Sequence, residues 1–472
     1  MTRTVAAVDL GATSGRVILG RVDRDHIELS TVSRFANRPV RTPDGLHWSA
    51  HELYRDIVEG LADAARQAPE LASIGIDSWA VDYGLLRGGT LLGVPYSYRD
   101  DRNHAAAQRV HELVSPTELY GRNGLQYLPF NTLYQFAADQ DAGLLSLADG
   151  FLLIPDLFAN WLTGAVSAER TNASTTGLLS VTSGRWDLEL AGRLGLPATM
   201  FPELIDPGTD LGGLLPSAVR GIGTTSARVT AVGSHDTASA VVAIPATSPD
   251  VAYVSCGTWS LVGVELERPV LTEESRLAGF TNEGGVDGRI RYLHNVMGLW
   301  LLTECIREWE RDGAVVDLNE LLGAAEAVTE PVPVFDADDE AFLAPGGMPD
   351  RIRTWLAEHD LPAPTTRAGL VRSILESLAA AYAKAIRTAS ELSGKTVDAV
   401  HIVGGGSQNA LLCQLTADAT GLTVHAGPVE ATAIGNVLIQ ARALGWISGD
   451  LETLRAVVAR DSYVATYTPR SK

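Results

Sequence analysis

The sequence predicts an α/β protein of two like-folded domains, each a mixed β-sheet flanked by helices. Three observations predict it. The chain opens on two β-branched, apolar runs around a tight polar turn, AAVDLGATSGRVILGRV (residues 6–22), which reads as a β-hairpin. A stretch of helical periodicity and a further strand follow, the order of a mixed sheet with helices on its faces. From Val251 that order begins again with VAYVSCGTWSLVGVEL, and repetition of a whole α/β unit means two similar domains.

Taken in order, the opening hairpin is continued by a third extended run, IELSTVSRFANR. HELYRDIVEGLADAARQA then carries Leu53, Ile57, Leu61 and Ala65 at helical spacing. LASIGIDSWAVDYGLL is a strand with two carboxylates, Asp77 and Asp82, at its end. A long helical and loop region follows through Leu196 and includes the polar stretch ERTNASTTG. The strand ARVTAVG leads through a Gly-rich turn into the small-residue helix of SHDTASAVVAIPA. In the second half, the repeated hairpin is followed by a loop rich in Pro, Gly and Asp from Thr329. After it come the long helix GLVRSILESLAAAYAKAIRTASEL and the strand VDAVHIVGGGSQN. Two prolines and polar residues in IPATSPD (244–250) place the boundary there, giving domains of residues 1–245 and 246–472.

Composition narrows the function. With 472 residues, 46% of them hydrophobic and 20% charged, the chain has the make-up of a soluble protein of two or three domains, each able to bury a sizeable core. A formal charge of -20 argues against nucleic-acid backbones and anionic membrane surfaces as partners. The three cysteines (Cys256, Cys305, Cys413) are widely spaced with no CxxC pair, which fits a reducing compartment and offers neither a disulfide framework nor a zinc site. Strand begins by about Thr4, leaving no room for a signal peptide, and no run of 18 apolar residues occurs. A cytoplasmic protein, monomeric or homodimeric, is expected.

Four stretches carry chemistry. The first hairpin needs glycine where φ is positive, which accounts for Gly11 and Gly15. Shape alone does not require Asp9, Thr13, Ser14 and Arg16. Backbone N–H groups, hydroxyls and one guanidinium in a concave turn make an anion cradle suited to phosphate, although a polar hairpin tip explains the stretch when it stands alone. Its echo, Gly257-Thr258, is placed to hold the far side of the same phosphate chain, a clamp that works only when the cleft between the domains shuts. In GSHDTASA, His235 and Asp236 stand between a strand and a helix, where a carboxylate can accept a hydroxyl proton. An N-cap is the competing reading. A Ser-His-Asp hydrolase is disfavoured, because neighbouring His and Asp point to different sides and no G-x-S-x-G elbow exists. Finally, Gly404 to Gly406 lack dinucleotide-fingerprint spacing, yet bare backbone between strand and helix, with Gly427-Pro428 nearby, suits a nucleoside slot.

These residues resemble a known family. DLGATSGRV, GIDSWAVDYGLL, YRDDRN, SHDTASAV, CGTWSLVG, TNEGGVDG, NVMGLWLL and GGGSQNALL…TADATGL…GPVEATAIGN are similar, over nearly the whole chain, to the FGGY carbohydrate kinases, within the ribonuclease-H-like (actin-like) ATPase fold. The branch they resemble phosphorylates L-rhamnulose. The resemblance implies two such domains with an active-site cleft between them. It implies transfer of the ATP γ-phosphate to the 1-hydroxyl of L-rhamnulose with Mg2+. By matching position, Ala12, Thr13, Ser14, Gly15 and Arg16 would hold ATP, with Thr258 on its terminal phosphates and Gly405 against the nucleotide. Asp236 would be the catalytic base, with His235, Thr237, Asn295 and Ala80 completing the sugar pocket. Asp9 would orient Mg2+ through water. Where the family usually has Gln, as a nucleotide contact, this chain has Thr303, so that role is not carried over; nor does the sequence FGGY occur. The rival readings are a kinase of another ketose or polyol (fuculose, xylulose, glycerol) and a non-catalytic sugar sensor on the same fold.

Overall fold

A hairpin seeds the sheet in each half of the chain. The structure, a computed structural model, describes residues 3–23, 26–223 and 225–470. In the first hairpin, β1 (Arg3–Leu10) and β2 (Ser14–Val22) pair antiparallel, with Leu10 opposite Gly15 and Asp9 opposite Arg16. β3 (Ile27–Ala36) extends it antiparallel, and β4 (Ser73–Ser78) joins the other side of β1 in parallel. β5 (Asp210–Gly213) and β6 (Arg228–Thr230) complete a six-stranded sheet in the order β5-β6-β4-β1-β2-β3. β1 and β4 are buried almost throughout, as strands covered on both faces are. α1 (Ala50–Gln67) buries Leu53, Ile57 and Leu61 against Val8, Val17 and Ile74, and Ala64 is buried where Ala65 was expected to be.

Glycine at the first turn serves close approach. Neither Gly11 nor Gly15 has positive φ, contrary to the sequence expectation. A Cβ on Gly15 would instead collide with the Phe35 ring, and one on Gly11 would lie 3.2 Å from the Ser14 carbonyl oxygen.

The second hairpin, β7 (Val251–Cys256) and β8 (Trp259–Leu266), repeats the device. Its seven-stranded sheet begins with an outer strand at Thr281–Gly284 and continues in the order β9-β8-β7-β10-β11-β12, with β9 at Ile290–Met297, β10 at Ala399–Val403, β11 at Thr423–Ala426 and β12 at Ala465–Tyr467. As in the first half, the leading strand of the hairpin takes a parallel neighbour, β7 with β10. The 27-residue helix Arg367–Ser393 buries Leu378 and Tyr382. The loop from Thr329 is irregular except for a short turn at Glu340–Phe342, and helix Met348–Glu358 takes up its last residues.

The chain does not divide at one cut. Residues 1–247, 265–292 and 431–461 form one compact unit, and residues 248–264, 293–430 and 462–472 a second. The segments 265–292 and 431–461, beyond the expected boundary at 245, therefore group with the first unit. Among the described residues no helix is long and apolar enough to cross a membrane, and all three cysteines are free and buried.

Candidate active site

In the first unit, β1 and β4 end side by side, and their last residues gather the polar groups. Asp9 and Asp77 are register partners on the two parallel strands. The Arg16 guanidinium lies on the Asp9 carboxylate, as cross-strand opposition dictates. At the hairpin tip, Asn37 donates through Nδ2 to the Gly11 carbonyl (2.9 Å) and through its N–H to that of Thr13 (3.0 Å). Among the described residues nothing takes the N–H groups of Ala12 and Thr13 or the hydroxyls of Thr13 and Ser14. The tip therefore presents donors to solvent, the requirement for an anion cradle.

The GSHDT segment is fastened to the same strand end. Ser78 N–H donates to the Ser234 carbonyl (2.9 Å), and Ser78 bridges His235 in parallel. Buried Glu169 accepts from Ser234 N–H (2.9 Å) and Oγ (2.8 Å), while Thr171 Oγ1 accepts from His235 N–H (3.2 Å). The stretch ERTNASTTG, left without a role by the sequence, thus anchors this segment. Asp236 opens α2 (Asp236–Val242), and its Oδ1 accepts from Thr237 N–H (2.5 Å) and Oγ1 (3.1 Å). His235 does not turn away from Asp236 as expected: its Nε2 lies 3.4 Å from Asp236 Oδ1.

Three carboxylates, Asp9, Asp77 and Asp236, are electrostatically coupled here. Burial pushes Asp77 well above the usual carboxylate range, and the charges of Asp9 and Asp236 add to that. The Asn436 amide opposes the rise by donating to Asp77 Oδ2 (2.5 Å). Burial also raises Asp236, with the charge of Asp9 reinforcing it and His235 and Thr237 restraining it. Asn436 sits on α3 (Ala431–Ala443) one turn before Gln440, which donates to Asn436 Oδ1 (2.6 Å) and to the Ala6 carbonyl (3.0 Å). Sequence reasoning missed this pair; two amides spaced i, i+4 on a small-residue helix were the available signal.

Ala80 lies in the loop after β4, whose neighbour Val81 has φ +66°. That conformation is costly for a β-branched residue and persists only under constraint. Asp82 supplies it, accepting from Trp48 Nε1 (2.5 Å), Trp79 Nε1 (3.0 Å), Gln135 Nε2 (2.8 Å) and Tyr98 N–H (3.1 Å). Thr132 Oγ1 also donates to the Val81 carbonyl (2.6 Å).

In the second unit, Gly257 N–H donates to the Trp259 carbonyl (2.9 Å), and the Gly257 and Thr258 carbonyls accept from Leu299 and Trp300, both at 3.1 Å. Gly404 N–H donates to the Pro428 carbonyl (3.2 Å) and Gly427 N–H to that of Ile402 (2.8 Å), so the two Gly turns adjoin. A Cβ on Gly406 would collide with Cys256 Sγ, whereas one on exposed Gly405 would meet nothing within 4 Å. Asn295, half-buried on β9, also belongs to this unit.

Residues 4–243 match the N-terminal domain of the FGGY family of carbohydrate kinases, and residues 252–444 match its C-terminal domain. The chain belongs to the FGGY carbohydrate kinases. Full-length relatives include the rhamnulokinase of Bacteroides thetaiotaomicron, 39% identical with 100% of this chain and 96% of that protein covered. The rhamnulokinase of Pectobacterium carotovorum subsp. carotovorum is 42% identical, with 100% and 94% covered. Among solved structures, a ligand-bound xylulose kinase from Lactobacillus acidophilus superposes with TM-score 0.80 at 15% identity, covering 99% of this chain and 94% of that one. Plasmodium falciparum glycerol kinase with ADP superposes with TM-score 0.78 at 14% identity, with 99% and 94% covered, so this chain shares the fold of these two structures. A kinase of this family uses ATP as co-substrate.

Among the described residues no three His, Cys, Asp or Glu side chains converge on a metal position. Asp77 Oδ1 nevertheless lacks a hydrogen-bond partner while fully buried. A hydrated Mg2+ needs only one or two carboxylates beside the nucleotide phosphates, and Asp9 with Asp77 fits that demand.

Proposed function

We propose that this kinase transfers the γ-phosphoryl group of ATP to the 1-hydroxyl of L-rhamnulose, giving L-rhamnulose 1-phosphate and ADP. The observation that carries the substrate is end-to-end identity of 39–42% with rhamnulokinases. Phosphoryl transfer asks the protein for positioning and charge neutralisation, with little covalent work. The free N–H groups of Ala12 and Thr13, the hydroxyls of Thr13 and Ser14, and Arg16 beyond Gly15 receive phosphate oxygens. Thr258 and Gly405, on the second unit, take the terminal phosphates and the nucleotide. Asp9 and Asp77 would hold Mg2+, which when bound would supply the positive charge that the carboxylate cluster and the phosphates require. His235, Thr237, Ala80 and Asn295 hold the sugar. Asp236 accepts the proton of the attacking hydroxyl, and the Thr237 contacts fix the rotamer from which it does so. Three free cysteines and dependence on ATP fit reaction in the cytoplasm.

A panel measuring ADP release from L-rhamnulose, L-fuculose, D-xylulose and glycerol tests the substrate. The highest kcat/KM is expected with L-rhamnulose, and a higher value with another member of the panel replaces this assignment. Asp236→Asn should lower kcat by at least about a hundredfold, the usual worth of a general base, with the sugar still bound. Near-normal turnover in that variant removes Asp236 from the role.

A further inference from the structure

Behind His235 lies a charged pair that the phosphate and sugar contacts do not explain. Arg291, at the start of β9 and within the first unit, has a side chain of 0% exposure, and Glu283 is almost as buried at 9%. Arg291 Nε donates to the Gly284 carbonyl (3.0 Å), and Nη2 stands 3.0 Å from Glu283 Oε2 and 2.9 Å from His235 Nδ1. Glu283 Oε2 is 3.4 Å from the same His235 nitrogen. Burial alone would raise the Glu283 carboxyl, yet Arg291 and His235 hold it below its ordinary value. Such a pair is costly to desolvate and is weak evidence of stability for its own sake.

The donor inventory decides what the pair does. A guanidinium only donates and keeps its protons in proteins. With Arg291 Nη2 at 2.9 Å, His235 Nδ1 must accept, and the ring hydrogen must sit on Nε2. Placing it on Nδ1, to serve Glu283 at 3.4 Å, would set two N–H groups against each other across the shorter distance. The Nε2 hydrogen then faces Asp236 Oδ1 at 3.4 Å, a contact that shortens readily when ligand closes a site. Glu169 and Thr171 fix the backbone that carries the ring.

We infer that Arg291, oriented by Glu283, is a positioning residue that locks His235 in the Nε2–H tautomer and so aims a hydrogen-bond donor at the Asp236 carboxylate and the hydroxyl beside it. The tautomer follows from geometry alone; its effect on turnover rests on the proposed sugar kinase reaction.

Full-length protein with ring-15N histidine separates the two. The His235 signals, assigned by their loss in His235→Asn, should show a protonated Nε2 and an unprotonated Nδ1 at neutral pH in the wild-type protein. A hydrogen on Nδ1, or on both nitrogens, overturns the inference whatever sugar the enzyme uses. Arg291→Met combined with Glu283→Gln removes both buried charges together, so neither is left unpaired. Folded by thermal melt, this variant should show mixed His235 tautomers. Its kcat/KM for L-rhamnulose should fall about tenfold or more, as expected for loss of a hydrogen bond to a charged group, with KM for ATP unchanged. Retention of both the wild-type tautomer and the wild-type sugar kcat/KM in the folded variant also overturns it. Should the double variant not fold, the wild-type spectrum alone decides between the tautomers.

Discussion

At the scale of single residues, Asp77 concentrates the electrostatic cost of the site. It is fully buried, lies between Asp9 and Asp236, and keeps one oxygen without a hydrogen bond. Asp77→Asn should therefore raise stability at neutral pH by about 0.5–2 kcal/mol while lowering turnover, the trade common where a site is strained for function. Denaturant melts and initial rates check it; a less stable and fully active variant would contradict it. The cluster also sets a pH dependence. Burial and like charge raise Asp77 and Asp236, and burial raises Asp82 to about 6 against four N–H donors that oppose it. The folded protein thus holds protons that the unfolded chain has released above about pH 3.9. The stability contributed by these groups is present at low pH and lost as pH rises from there through the raised values. The acid limb of kcat/KM, which reports the free enzyme's base, should accordingly lie above about pH 3.9. A limb at the ordinary carboxylate value would mean that Asp236 is not raised.

At the scale of elements, the two Gly-Thr/Ser turns and the Gly404–Gly406 turn look alike in sequence but use glycine differently. Gly15 and Gly406 are small because Phe35 and Cys256 press on them, whereas Gly405 faces open space. Gly406→Ala should destabilise the fold by about 1–3 kcal/mol through overpacking. Gly405→Ala should leave stability within about 0.5 kcal/mol and raise KM for ATP. Thermal melts beside ATP saturation curves distinguish the two, and an unchanged KM in Gly405→Ala takes that residue off the nucleotide. Helix α3 makes the converse point. Gly435 lets it cross against α2, where a Cβ would collide with the Ser239 carbonyl, and Asn436 beside it reaches Asp77.

At the scale of the whole molecule, a chain of charge -20 must bind a polyanion through local arrangement. No direct three-ligand metal cluster exists among the described residues, so Mg2+ should arrive with the nucleotide. Mg2+ alone should barely move the melting temperature. Saturating MgATP should raise it, by about 2.7 kcal/mol of linked stability at roughly a hundredfold excess over Kd. A large shift with Mg2+ alone would reveal a resident metal site. Turnover should cease when a chelator removes the metal and return on its replacement.

The sequence by itself determined the hairpins, the repeated α/β order, the family and the residues matched to its motifs, because periodicity, turn chemistry and short motifs are local along the chain. Only the tertiary structure decided what supports those residues. Asn436 and Gln440 lie hundreds of positions from Asp77 and Ala6, which they bond. Glu169 fastens Ser234 across 65 positions, and Arg291 reaches His235 across 56. It also showed why Gly11 and Gly15 are glycine, since the reason is the nearness of Ser14 and Phe35 and not their own backbone angles. Burial, like-charge proximity and the direction of a hydrogen bond depend on which distant segments pack together, and no local pattern of residues encodes that.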